Sequence, residues 1–290
     1  MVARRASRSR LARRDRRGMA LIFVLWMLVL LGLAIGELVA RVRDEASMVA
    51  TLRSRAVARY AAESGVLVTT AALQTLLDSA SEPEDLAANA RHLDTLGRQP
   101  AGLAGQTAQF AVAVANLNAR LDLARSDSTA LRALFAQFVP AGRAAEITAA
   151  LHDDPVTRFA ELARVPGADD ALALAVAPYV TVSSDGLIDV NSAPEAVLAA
   201  LPGIGPAKAR AIVARRDGGE VLSSPDEFRP PPGPSTAAAA EGSPLTVAPS
   251  RIMIVSRGWR RGMPLSHEIQ AVYVVLAGTL TLQSWEERDR

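Results

Sequence analysis

Residues 16–38 read RRGMALIFVLWMLVLLGLAIGEL, a basic dipeptide and a glycine followed by about 20 residues whose only charge is Glu37. A helix of that length rises roughly 30 Å, enough to cross a bilayer's hydrocarbon core. Upstream, residues 1–18 hold eight Arg (Arg4, Arg5, Arg8, Arg10, Arg13, Arg14, Arg16, Arg17) against Asp15 alone. Basic residues are retained on the cytoplasmic side, so the pattern predicts a cytoplasmic N-terminus and a body on the far side of the membrane.

Three readings of this segment compete. In a secretory signal peptide, Met19–Leu31 is the apolar region and Gly32-Leu33-Ala34 the small-residue cleavage site. In a plain anchor nothing is removed. In a prepilin-type leader the cut falls before the apolar run, between Gly18 and Met19, and the hydrophobic helix survives as the mature N-terminus. The residues downstream favour the third. Residues 44–78 contain no Pro and only Gly65, and Val49, Leu52, Val57, Tyr60, Leu67 and Leu76 recur at roughly helical spacing. The spacing predicts a membrane helix that continues as an amphipathic stalk and ends at Ser81-Glu82-Pro83-Glu84.

Charge separates leader from body. The whole chain carries +2, but residues 19–290 hold 24 basic against 29 acidic residues, a net of −5. That is a poor footprint for nucleic-acid binding. The absence of Cys excludes disulfides, thiolate metal sites and cysteine nucleophiles. Half the residues are apolar and few are aromatic, which allows a large core rich in helices.

Residues 97–106 read as a loop. Gln109–Leu123 alternates apolar and polar positions and is expected to form a strand pair turning at Asn116–Asn118. A helical block comes next. Asp127-Ser128 caps Thr129–Val139. Arg143–Leu151, Arg158–Arg164 and Ala171–Val176 are further helices; Pro155 and the turn Val165-Pro166-Gly167 separate them, Asp169-Asp170 opens the last and Pro178 ends it. Residues 229–244, beginning with Arg229-Pro230-Pro231-Pro232-Gly233-Pro234, read as an exposed loop of polyproline character. Strands are expected at Leu245–Gly258, His267–Leu276 and Thr279–Trp285, with a loop from Gly258 to Met263 and a tight turn at Ala277-Gly278. The fold class is therefore α+β: a long N-terminal helix packed on an antiparallel sheet, with an α-helical domain inserted. The boundaries read as leader 1–18, membrane helix 19–43, stalk and first strands 44–125, inserted helical domain 126–244 and closing strands 245–290.

One compact motif stands inside that block, at residues 191–216. Asn191-Ser192-Ala193-Pro194-Glu195 opens a helix, with Ser192 and Glu195 spaced as a capping box. Gly203-Ile204-Gly205 allows a reversal at positive φ, and Pro206 starts a second helix. Ala207, Ala211 and Ile212 are expected to pack on Val197 and Leu198. This is a helix-hairpin-helix. Such hairpins can hold DNA phosphate on backbone N–H groups, and Gly203, Gly205 and Lys208, the only Lys in the chain, are the weak candidates here, with Arg210, Arg215 and Arg216 beside them. The alternative is a hairpin that only packs.

No enzyme is expected. His92, His152 and His267 are scattered. Ser266-His267-Glu268 alternate faces on a strand, so they make no triad. No phosphate-binding loop or nucleophile elbow occurs. Asp153-Asp154 and Asp169-Asp170 could help hold calcium, although such pairs commonly cap helices or face solvent.

Gly18-Met19-Ala20-Leu21-Ile22 with Val24-Leu25-Trp26, then Val165-Pro166-Gly167, Pro178-Tyr179-Val180, the Asp189–Pro194 block and the closing strands, resembles the type II secretion minor pseudopilin K family over most of the chain. The resemblance implies a non-catalytic subunit at the tip of a secretion pseudopilus, serving export from the periplasm. It implies that a prepilin peptidase cleaves after Gly18 and methylates the amine of Met19. It puts Phe23 at the fifth mature position, where most pilin-like subunits carry Glu and the K subunit does not. A buried unpaired carboxylate is costly, and a capping subunit need not make every filament contact. The implied location is the inner membrane, single-pass with a periplasmic body, and the implied partners are minor pseudopilins I and J. No cofactor is implied at any placed residue, and calcium is left open. The rival is a membrane-anchored DNA-uptake receptor built on the helix-hairpin-helix.

Overall fold

The computed structural model describes residues 8–80, 85, 88, 101–102, 107–228 and 245–290. The chain divides into two units, residues 1–56 and 57–290. Helix α1 is Arg8–Ser79. In the first unit it is the candidate membrane segment: from Leu21 it is long and apolar enough to cross a bilayer, and Leu25, Trp26, Leu30 and Leu33 are all exposed. Glu37 pairs with Arg41 one turn on, at 2.5 Å, which neutralises the one acid near the end of the run.

In the second unit the last turns of α1 lie on a five-stranded antiparallel sheet. Its strands are β1 (Ala101–Gly102), β2 (Ala108–Asn116), β7 (Arg251–Arg260), β8 (Ser266–Leu276) and β9 (Thr279–Asp289), in the order β1-β2-β7-β8-β9. Alternation builds one buried face: Phe110, Val112 and Val114 from β2, Ile252 and Ile254 from β7, Ile269, Ala271 and Tyr273 from β8. The β8–β9 turn is two residues, Ala277 (φ 48°) and Gly278 (φ 79°), both left-handed as a type I′ hairpin needs.

The face that α1 buries is not the one its large residues suggest. Tyr60 and Leu67 are about two-thirds exposed, while Ala58, Ala61, Ala62, Gly65, Val66, Thr69 and Leu73 are buried. Small residues are what a close approach needs. A Cβ on Gly258 of β7 would overlap the Ala58 carbonyl oxygen and the Ala62 amide nitrogen. One on Gly65 would overlap the Ser256 hydroxyl and stand 2.9 Å from the Phe110 ring. Helix and strand meet backbone to backbone, with Tyr60 and Leu67 turned outward.

The hairpin expected within Gln109–Leu123 does not form. After Asn116 the chain makes a 3-10 turn, Leu117–Ala119, and leaves the sheet. Strand β3 (Leu121–Asp122) pairs in parallel with β4 (Val180–Thr181) instead. Between β2 and β7 stand α2 (Ser128–Phe135), α3 (Ala141–Asp153), the 3-10 turn Phe159–Arg164, α4 (Asp170–Val176), β5 (Ile188–Asp189), α5 (Glu195–Ala200), α6 (Gly205–Asp217) and β6 (Leu245–Thr246). This block has its own core, with Phe135, Ile147, Leu162, Leu198 and Ile212 buried at its centre. Asp127 caps α2 through Thr129 N at 2.7 Å, and Asp169 caps α4 through Leu172 N, also at 2.7 Å, so that acid serves a helix end. The expected strand from Leu245 to Gly258 is two strands. Of these, β6 pairs in parallel with β5 and β7 belongs to the sheet. The expected helix break at Ser81–Glu84 and the loop at 229–244 lie outside the described residues, as does most of 97–106; its described pair, Ala101–Gly102, is strand rather than loop because it hydrogen-bonds to β2.

The tight α1–β7 contact makes a paired prediction. Gly258→Ala destabilises the protein by about 3 kcal/mol, because the new methyl meets backbone that cannot move aside. Ser256→Ala raises stability by about 1 kcal/mol, since the Ser256 hydroxyl is buried without a partner among the described residues. Denaturant titration of the detergent-solubilised chain reads both. A neutral Gly258→Ala would mean that α1 sits farther from the sheet.

Candidate functional site

The helix-hairpin-helix forms as its spacing predicts, with α5 and α6 joined through Leu201–Ile204. Gly203 and Gly205 hold φ of 83° and 66°, the left-handed values that only glycine adopts without strain. Its internal packing differs from the expected one. Ala207 and Ala211 are exposed, and the buried residues are Val197, Leu198, Leu201, Ile204, Ala209 and Ile212. The capping box is absent too. Pro194 is the N-cap of α5 with no side-chain cap, and the Ser192 hydroxyl donates to Asp189 Oδ2 at 2.7 Å. Pro194, not Ser192, holds the N-cap position, so the hydroxyl serves the buried carboxylate in a charge-assisted hydrogen bond instead of accepting from a helix N–H.

Asp189 is the centre of a buried polar anchor. It is fully buried. Its Oδ2 also accepts from Asn116 Nδ2 at 2.8 Å, and its Oδ1 accepts from Asn191 N at 2.9 Å. Burial raises its pKa above the ordinary aspartate value; the hydrogen bonds from Ser192, Asn191 and Asn116, and the charge of Arg216, pull the other way. Asn191 continues the network. Its Nδ2 donates to Leu222 O at 2.9 Å and Val247 O at 2.8 Å, and its Oδ1 accepts from Leu222 N at 3.0 Å. The hairpin is thereby tied to the segment that leads into β7.

A second hub stands two residues past Asn116. Asn118 Oδ1 accepts from Ser250 N at 3.0 Å and Arg251 N at 2.8 Å. Its Nδ2 donates to Asp185 Oδ1 at 2.8 Å and Leu187 O at 3.0 Å. Both crossings between sheet and helical block, the exit after Asn116 and the return before Arg251, are thus fastened to each other and to the Asp185–Asp189 segment. The sequence pattern marks Asn116–Asn118 only as a turn and does not single out Asp185 or Ser250. Two polar residues flanking Leu117 at a strand end are the one local signal of the hub.

The basic residues of the motif are engaged within the molecule. Lys208 Nζ donates to Gly203 O at 3.2 Å, on the hairpin itself. Arg210 Nε donates to Pro206 O at 3.3 Å. Arg215 pairs with Glu220 and Glu227, each at 2.5 Å. Arg216 Nη1 donates to Val190 O at 3.2 Å and Ala193 O at 2.7 Å. Ser266-His267-Glu268 alternate faces: His267 lies between Asp289 and Glu287 of β9, at 2.7 and 3.2 Å, and Glu268 accepts from Arg290 at 3.0 Å. Among the described residues no three His, Asp or Glu converge as a metal site. Gly18 and Met19 are consecutive positions inside α1, and Met19 and Phe23 are exposed.

A long N-terminal helix laid on an antiparallel sheet, with a helical block inserted between two sheet strands, is a pseudopilin-type α+β fold. A family model described as a helix-hairpin-helix motif matches residues 183–233. Among solved structures, a chain of the GspK-GspI-GspJ complex from the enterotoxigenic Escherichia coli type 2 secretion system is similar over 85% of this chain and 99% of its own. The TM-score is 0.52 and the identity 14%, a likeness of fold. No curated protein matches the chain.

Two variants test the anchor. Asn118→Ala leaves two backbone N–H groups and Asp185 short of partners, and costs about 3 kcal/mol or more in denaturant unfolding. Asp189→Asn turns an NH2 toward donors and destabilises, by an amount that depends on pH. A raised folded pKa contributes stability that is complete below the unfolded value and is lost as pH rises through the folded one. The gap between wild type and Asp189→Asn is therefore wider at pH 4 than at pH 8. A wider gap at pH 8 would show that the donors, not burial, govern this carboxyl.

Proposed function

We propose that this protein is a minor pseudopilin of a type II secretion system: a non-catalytic subunit at the pseudopilus tip that promotes assembly and export from the periplasm. The observation that carries the reading is the inserted helical block. It stands between β2 and β7, beside a pseudopilin sheet and helix. Such bulk would obstruct packing inside a helical filament and is tolerated at its end. The similarity to a chain of the GspK-GspI-GspJ complex supports partners of the I and J type.

In this reading the apolar part of α1 spans the inner membrane once, with the N-terminus cytoplasmic and the body periplasmic. A prepilin peptidase removes residues 1–18 and methylates the amine of Met19. Phe23 at the fifth mature position then suits a subunit with no neighbour beyond it to pair with. Membrane-anchored DNA binding gains no support from the hairpin. Lys208, Arg210, Arg215 and Arg216 are all drawn into contacts inside the block, and residues 19–290 are net acidic.

Intact-mass measurement and N-terminal sequencing of the protein made with and without a prepilin peptidase test the proposal. The expected mature chain begins at N-methylated Met19 only when the peptidase is present, and it then captures I-type and J-type minor pseudopilins in a pull-down. An unchanged N-terminus, or a cut near Ala34, overturns the reading; salt-sensitive binding of duplex DNA would favour the receptor instead.

A further inference from the structure

We draw no further inference here: the strongest candidate, the open edge and uncovered apolar face of strand β9 around Leu282 and Trp285, carries none because nothing in the structure shows what covers it.

Discussion

Strand β7 lies under helix α1 only because two glycines, a serine and three alanines remove the side chains that would hold them apart. Gly258 faces the backbone of Ala58 and Ala62, and Gly65 faces Ser256. Dispersion falls off steeply with distance, so this approach concentrates contact along one line and lets the aliphatic residues of β2, β7 and β8 close around it. It also decides which way α1 turns. With the small face inward, Tyr60 and Leu67 are left outside. The same line fixes which face of the sheet is the core.

The helical block depends on a different kind of bond. Its core is apolar and separate from that of the sheet. What joins the two at the crossings is polar: Asn116, Asn118, Asp185, Asp189 and Asn191 bind backbone and one another across the exit and the return. Buried polar groups must be satisfied and are directional, so they define one orientation where an apolar contact would allow several. The Asp189–Pro194 stretch, which the family resemblance singles out, is in physical terms this anchor.

Much of this is legible in the sequence. Residues 19–38 announce themselves by length and apolarity. The closing strands show their alternation, and the turn at Ala277-Gly278 falls where expected. Gly203-Ile204-Gly205 with Pro206 marks the hairpin. The failures share a cause. Periodicity looks for the buried stripe of α1 among large apolar residues, but a helix touching backbone selects for smallness, which hydrophobic spacing does not weigh. Leu117–Leu123 alternates like a returning strand, yet the partner of β3 is Val180–Thr181, and no local pattern carries that information. Ser192 is spaced for a cap, but the helix starts two residues later with Pro194 at its N-cap, and the hydroxyl donates to Asp189, a partner visible only in three dimensions.

Asn116 and Ile252 sit opposite each other in the sheet although they are about 136 residues apart in sequence. Closing so long a loop costs roughly 3 kcal/mol more entropy than closing a four-residue hairpin. The inserted block has its own apolar core, and the Asn118 bonds to Ser250 and Arg251 hold its two ends together, which offsets part of that cost.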